Sequence, residues 1–277
     1  MELAGLDDER ERLRKIFAKH GFVPNPLLDQ HFLLSSDVAS RLVEVADVGR
    51  SDVVLDLGAG HGNITLAASR RAGKVLALEK DRRLIPILRE NVATCDNVVV
   101  ISADFLKAQL PHFSKLVSNP PYSLAEALLN RLIRRGVAGA SLLFPEPLAR
   151  RLTAKPGSQE ETLLTYKVRL AYDVVLHERV RRYHFYPETE HDAVIVALKP
   201  ASPSYTSRFM LSFLRQTDKK TRNALRNTLQ QVKGLSKREA TRAVELSPLD
   251  DSILQRWVAR LSLKQIRVIE ETFAAHA

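Results

Sequence analysis

The sequence predicts an α/β protein: a doubly wound, mostly parallel sheet followed by a smaller, purely helical domain. Three observations carry this. Short apolar runs alternate with helix-periodic stretches between residues 53 and 144. A glycine turn, Gly58-x-Gly60-x-Gly62, follows directly on the first apolar run. Beyond Pro200 and the linker Ser202-Pro203-Ser204, the pattern is helical to the end of the chain.

Residues 6–20 read as a charged helix ending near Gly21, and Pro24 and Pro26 make the next segment irregular. Ser36-Asp37 before Val38, Leu42, Val43 and Val45 reads as a capped helix. Val53 to Leu57 is a short apolar run of the kind that a buried parallel strand shows. A helix through Ala68, a strand from Lys74 to Glu79 and a helix from Asp81 to about Asn91 follow. Val98 to Ile101 and Lys115 to Ser118 are the third and fourth strands, ending near Asp104 and at Asn119. Ala125 to Arg135 is a helix and Ala140 to Phe144 a fifth strand. Leu163 to Val168, Asp173 to His177 and Ala193 to Leu198 read as later strands. Residues 1–200 are thus expected to form the sheet domain, with 1–28 as an N-terminal extension, and 201–277 the helical one.

The chain has 42 Lys and Arg against 32 Asp and Glu, a net charge of +10, which suits a polyanion partner. The excess is local: residues 201–234 hold 7 basic residues and 1 acidic residue. Arg215, Lys219, Lys220, Arg222 and Arg226 are the candidate nucleic-acid contacts there, since a basic helix face can displace counterions from phosphates. A merely solvated face is the alternative. The single Cys95 excludes an internal disulfide, the eight His are scattered, and no metal is expected. No apolar run approaches the roughly 20 residues of a membrane span. The charged N-terminus lacks an apolar signal core, so a cytoplasmic protein is expected, and nothing requires more than a monomer.

The tips of the first three strands suit an adenosine-containing ligand. Gly58 and Gly60 let the backbone turn sharply and approach a ligand. Glu79, ending the second strand, can accept hydrogen bonds from both hydroxyls of a ribose. Asp104, ending the third, can accept one from an adenine amine. NAD and S-adenosylmethionine both fit this description.

The tip of the fourth strand decides between them. In Asn119-Pro120-Pro121-Tyr122 the prolines remove backbone donors, leaving carbonyls free to accept. The Asn119 side-chain oxygen and the Pro120 carbonyl can accept from one exocyclic amino group, and Tyr122 offers a ring for a planar base. This arrangement is a strong signal for transfer of a methyl group to a conjugated amine.

With these residues in view, the chain resembles the KsgA family of small-subunit rRNA adenine dimethyltransferases, in an archaeal-type version. The similarity rests on Gln30-His31-Phe32-Leu33, Asp56 to Thr65, Glu79, Asp104-Phe105-Leu106, Asn119 to Tyr122, and Arg151-Leu152-x-Ala154-x-Pro156-Gly157. Phe185-x-Pro187, Arg222-x-x-Leu225-Arg226-Asn227 and Arg242-Ala243-x-Glu245-Leu246-Ser247 extend it. The resemblance implies a Rossmann-like class I methyltransferase fold with a seven-stranded sheet and S-adenosylmethionine as donor. It implies N6 of two adjacent adenosines near the 3′ end of small-subunit rRNA as acceptor, in ribosome biogenesis. By position, Gln30, His31, Leu33, Gly58, Gly60, Glu79, Lys80, Asp104, Phe105 and Asn119 would hold the cofactor. Asn119, Pro120, Tyr122 and Phe185 would hold the adenine. Pro120, Asp29, Pro145-Glu146-Pro147 and Glu188 to Asp192 depart from the family pattern, all towards the acceptor. Alternatives at this point are a mono-methylating enzyme on another RNA or DNA, a protein glutamine amide as acceptor, and a largely non-catalytic assembly factor.

Overall fold

The structure, a computed structural model, describes residues 2–274. Seven strands form one sheet: β1 (Val53–Leu57), β2 (Lys74–Glu79), β3 (Val98–Ser102), β4 (Lys115–Ser118), β5 (Gly139–Pro145), β6 (Tyr172–Val180) and β7 (Ala193–Pro200). Their order is β3-β2-β1-β4-β5-β7-β6. The first five are parallel, and β7 runs antiparallel to β5 in the register Leu142↔Val196. The order reverses between β1 and β4, so their carboxyl ends open a crevice at the switch point. Val54, Val75, Val117 and Ile195 are wholly buried in a core shared with Ala39 and Leu42 of helix Ser36–Val45, which is why these strand runs carry no polar alternation.

The chain falls into two compact units. The sheet unit extends through Thr153 and resumes at Asp173–Pro200; the other comprises Ala154–Tyr172 and the chain from Ala201. The chain divides after Pro200, as expected, but residues 154–172 fall in the unit that continues from Ala201 and not in the sheet unit. The expected strand at Leu163–Val168 is a helix, Leu163–Ala171. Thr162 caps it by accepting from Thr165 N, and Tyr166 is buried with Phe209 and Phe213, so packing overrides local β preference.

The extension at the N-terminus is built into the sheet unit. Helix Glu2–Lys19 buries Leu13 and Phe17 against Phe22, Phe32, Leu34 and Leu84. In the helical unit, Tyr205–Leu214, Thr221–Lys233, Lys237–Glu245 and Leu263–Phe273 share an apolar core. Ser236 and Ser262 each start a helix with a reciprocal capping box. Among the described residues no helix is long and apolar enough to cross a membrane.

Candidate active site

A cavity of about 550 Å³ opens at the carboxyl ends of β1, β2 and β4. Its floor is the turn after β1. Gly58, Gly60 and Gly62 have φ of 69°, 57° and 96°, a region that costs other residues roughly 1–2 kcal/mol. A Cβ on Gly60 would lie 3.1 Å from the Phe32 ring, and one on Gly62 2.9 Å from Leu88. The turn thus needs glycine for its backbone and for its neighbours. Gly60→Ala is expected to lower stability by about 1–2 kcal/mol and to weaken cofactor binding. Thermal unfolding and calorimetry check this; wild-type values in both would refute the role.

Glu79 is buried, and both its carboxylate oxygens already accept backbone N–H groups: Oε2 from Gly60 (2.9 Å) and Oε1 from Asp81 (2.7 Å). Burial pushes its carboxyl up, against those hydrogen bonds. Each oxygen keeps a second acceptor site. Asp104 Oδ1 accepts from Leu106 N (2.9 Å) and Oδ2 pairs with Lys80 Nζ (3.0 Å), which hold its carboxyl below the usual range. Lys80 therefore acts first on Asp104. Phe105 is buried beneath the Arg131 guanidinium, 4.5 Å from its ring centroid.

Asp56, beneath the turn, is 1% exposed and accepts from Thr65 Oγ1 at 2.6 Å. Burial, opposed by the Thr65 hydrogen bonds and aided by the Glu79 charge, pushes its carboxyl from 3.8 up to about 7. A raised folded value means that this acid favours the native state at low pH and opposes it as pH rises from about 4 to about 7. Asp56→Asn is expected to lack that decline, so its stability relative to wild type should rise over this window by up to about 4 kcal/mol. A pH-independent difference in chemical unfolding would refute it.

The segment before helix Ser36–Val45 seals one side. Gln30 spans it, accepting from Asn25 N (2.7 Å) and donating to Asp81 (2.9 Å). His31 Nδ1 donates to the Pro187 carbonyl (2.9 Å), and the His31 carbonyl accepts from Asn119 Nδ2 (2.9 Å). Asn119 Oδ1, buried at the tip of β4, has no hydrogen-bond partner among the described residues. An unsatisfied buried carbonyl oxygen is a costly feature unless something is to donate to it. Tyr122 Oη is also buried and unpartnered; burial, then the Asp29 charge, raises the phenol so that it stays protonated.

Gln30, His31, Leu33, Gly58, Gly60, Glu79, Lys80, Asp104, Phe105 and Asn119 all line the one cavity. Pro120, Tyr122 and Phe185 do not. Phe185 is wholly buried, so it does not present its ring to an incoming base. The reason is local: Phe185–Tyr186 pairs antiparallel with Phe32–Leu33, in the register Leu33↔Phe185. Alternation sends Leu33 and Phe185 into the sheet core, and Phe32 and Tyr186 into the cluster with Phe17.

Four residues have roles in this site that the sequence alone does not assign. Asn63 Nδ2 donates to the Leu33 carbonyl (2.9 Å), Asp81 holds Gln30, and Phe32 walls the glycine turn. Asp29, at φ 50°, accepts from Ser123 N (3.0 Å) and so ties the segment to the Asn119–Tyr122 loop. The departures at Glu146 and Asp192 prove to be partners: Glu146 N donates to the Asp192 carbonyl (3.0 Å), and Arg179 bridges both carboxylates at 2.9 Å.

Of the basic candidates, Lys219 and Lys220 precede helix Thr221–Lys233, donating to Gln216 (3.3 Å) and Gln255 (3.1 Å). Arg222 pairs with Asp251 (2.8 Å), Arg226 donates to Asn223 (2.8 Å), and Arg215 caps the preceding helix.

The family described as "Ribosomal RNA adenine dimethylase" matches residues 22–252. A probable ribosomal RNA small subunit methyltransferase A from Thermococcus onnurineus is 34% identical over 264 residues, 94% of this chain and 96% of that protein. A protein of the same name from Thermococcus kodakarensis is 35% identical over 266 residues, covering 95% and 94%. In structure the chain is similar to a dimethyladenosine transferase from Plasmodium falciparum, with a TM-score of 0.63 at 24% identity, covering 86% of this chain and 96% of that one. The strand order with its antiparallel β7 is that of the Rossmann-like class I methyltransferases. The carboxylates, positive-φ glycines and free acceptor around the cavity fit S-adenosylmethionine as cofactor. The chain belongs to the ribosomal RNA adenine dimethylase family and is an S-adenosylmethionine-dependent rRNA adenine methyltransferase.

Proposed function

We propose that this chain methylates the exocyclic N6 of two adjacent adenosines near the 3′ end of small-subunit rRNA, as a step in ribosome biogenesis. The observation that carries the chemistry is Asn119 Oδ1: buried, unpartnered and on a residue that lines the cofactor cavity. S-adenosylmethionine supplies a methyl group activated by a sulfonium. Glu79 holds the ribose hydroxyls through the acceptor sites that Gly60 and Asp81 leave open, and Asp104 holds the adenine amine. Gln30, His31 and Leu33 close the cavity from the side.

The acceptor amine is a poor nucleophile, because its lone pair is delocalised into the purine. Asn119 Oδ1 and the Pro120 carbonyl accept from its N–H groups and stabilise the positive charge that develops at nitrogen. Tyr122 stacks on the base. The methylated ammonium is acidic enough to lose its proton to water, so no strong base is required. Extruding an unpaired loop base is inexpensive beside opening a duplex. The helical unit, with Arg215, Lys219, Lys220, Arg222 and Arg226, takes the RNA backbone.

The test offers labelled S-adenosylmethionine with partly assembled small subunits, naked rRNA, tRNA and DNA, and maps the modified nucleoside by mass spectrometry. N6-dimethyladenosine at two neighbouring positions of small-subunit rRNA supports the reading. A single methyl, or label on tRNA or DNA alone, refutes it.

A further inference from the structure

We propose that Trp257 is a stacking platform for an unpaired RNA base, with Lys220 beside it on the adjoining phosphate. The proposal rests on the RNA-acceptor reading and adds a base-contact site within the helical unit.

Trp257 is the only tryptophan of the chain and is 46% exposed, whereas Phe209, Phe213 and Phe273 of the same unit are buried. Its position is imposed by the backbone. Thr221 N donates to the Arg256 carbonyl (2.8 Å) and Val258 N to the Lys219 carbonyl (3.0 Å), so Lys220 and Trp257 form an isolated antiparallel bridge. Those two bonds flank the pair rather than join it. Such a pair is the closer kind, with Cα atoms about 4.5 Å apart and both side chains on one face. A rigid indole and an ammonium thus emerge side by side, from segments 37 residues apart in sequence.

The surroundings are cationic. Arg256 and Arg260 are exposed, and among the described residues neither has a carboxylate partner. Of the nearby carboxylates, Asp250 accepts from Ser252 N (2.6 Å) and Asp251 pairs with Arg222 (2.8 Å), which leaves the exposed Asp218 against Lys219, Lys220, Arg256 and Arg260. Val258 and Leu261 are buried, so of the residues from Arg256 to Leu261 it is Arg256, Trp257, Ala259 and Arg260 that reach the surface. A protein-docking face would continue the apolar surface. One flat ring edged by cations is what a base and its phosphates require, and it tolerates any base.

The lone tryptophan makes its own fluorescence the readout. An unstructured oligoribonucleotide of about 10 residues is titrated into the full chain. Quenching is expected, weakened by added salt; a duplex of the same length should quench far less. By anisotropy of a labelled oligoribonucleotide, Trp257→Ala should bind roughly ten-fold more weakly and Trp257→Phe nearly as wild type. Lys220→Ala should flatten the salt dependence by about one counterion. Absence of quenching, or undiminished binding by Trp257→Ala, overturns the proposal. So does quenching by assembled small subunits but by no oligoribonucleotide, which would place folded rRNA or a protein, not an unpaired base, on this face. Methyl transfer to small-subunit rRNA by the wild-type chain is scored separately: its loss refutes the acceptor reading, while the fluorescence titration still decides the role of Trp257.

Discussion

Asn119→Ala is expected to lower kcat/KM for methyl transfer by roughly 10²–10³, the usual cost of deleting one preorganised group that stabilises developing charge. The fold should survive. The substitution removes one hydrogen bond, from Nδ2 to the His31 carbonyl at 2.9 Å, worth about 1 kcal/mol. That same bond aims Oδ1, because an amide that donates at one end has its oxygen orientation set. Asn119→Asp separates the two roles. It keeps an acceptor oxygen but faces the His31 carbonyl with a second acceptor, so an activity between wild type and Ala is expected. Full activity in Asn119→Ala would remove the residue from the chemistry. Equal losses in both variants would assign the effect to the tie with His31.

That Glu79, Asp104, Gly58 and Gly60 meet at one cavity was legible in the sequence because their placement is local. Glu79 ends its strand and Asp104 follows its own by two residues, and the parallel order brings strand ends together whatever the side chains beyond them do. Glu79 and Asp104 needed only the positions of their strands, and Gly58 and Gly60 only the turn after the first. What escaped depends on pairing over long separations. Phe185 is buried because Phe185–Tyr186 pairs with Phe32–Leu33, about 150 residues earlier, and a register of two residues leaves no alternation to read. Lys220 and Trp257 belong to no regular strand, so neither periodicity nor composition marks them. The Leu163–Val168 run has a β-rich composition, yet its burial against Phe209 and Phe213 belongs to a helix.

Arg169 of that helix belongs to an ionic cluster centred on Glu161, just ahead of the helix. The Glu161 side chain, 1% exposed, accepts from Arg169 at Oε1 and from Arg267 at Oε2, and Oε2 also takes Gly157 N at 2.9 Å. Both guanidinium groups lie 5.9 Å from the Tyr166 ring centroid. One carboxylate thus fastens helix Leu163–Ala171 to helix Leu263–Phe273. Removing it leaves two cations over a buried ring, with Glu270 beside Arg267 as the remaining acid. Glu161→Ala is therefore expected to destabilise the helical unit by about 3 kcal/mol, the low end for a broken buried pair because the arginines are about a third exposed. Trp257 fluorescence during chemical unfolding of the full chain reads this unit directly. A change below about 1 kcal/mol would show that the pair is no stronger than a surface one. The pH dependence gives a second check. Burial raises the Glu161 carboxyl, but Arg169, Gly157 N and Arg267 outweigh it and leave it below its ordinary 4.5. A depressed acid contributes stability above its unfolded value and loses it as pH falls through the folded one. Wild type should lose stability as pH drops below about 4.5, and Glu161→Ala should lack that component. Glu161→Gln, which keeps one acceptor for one arginine, should fall between them in stability and share the missing acid response.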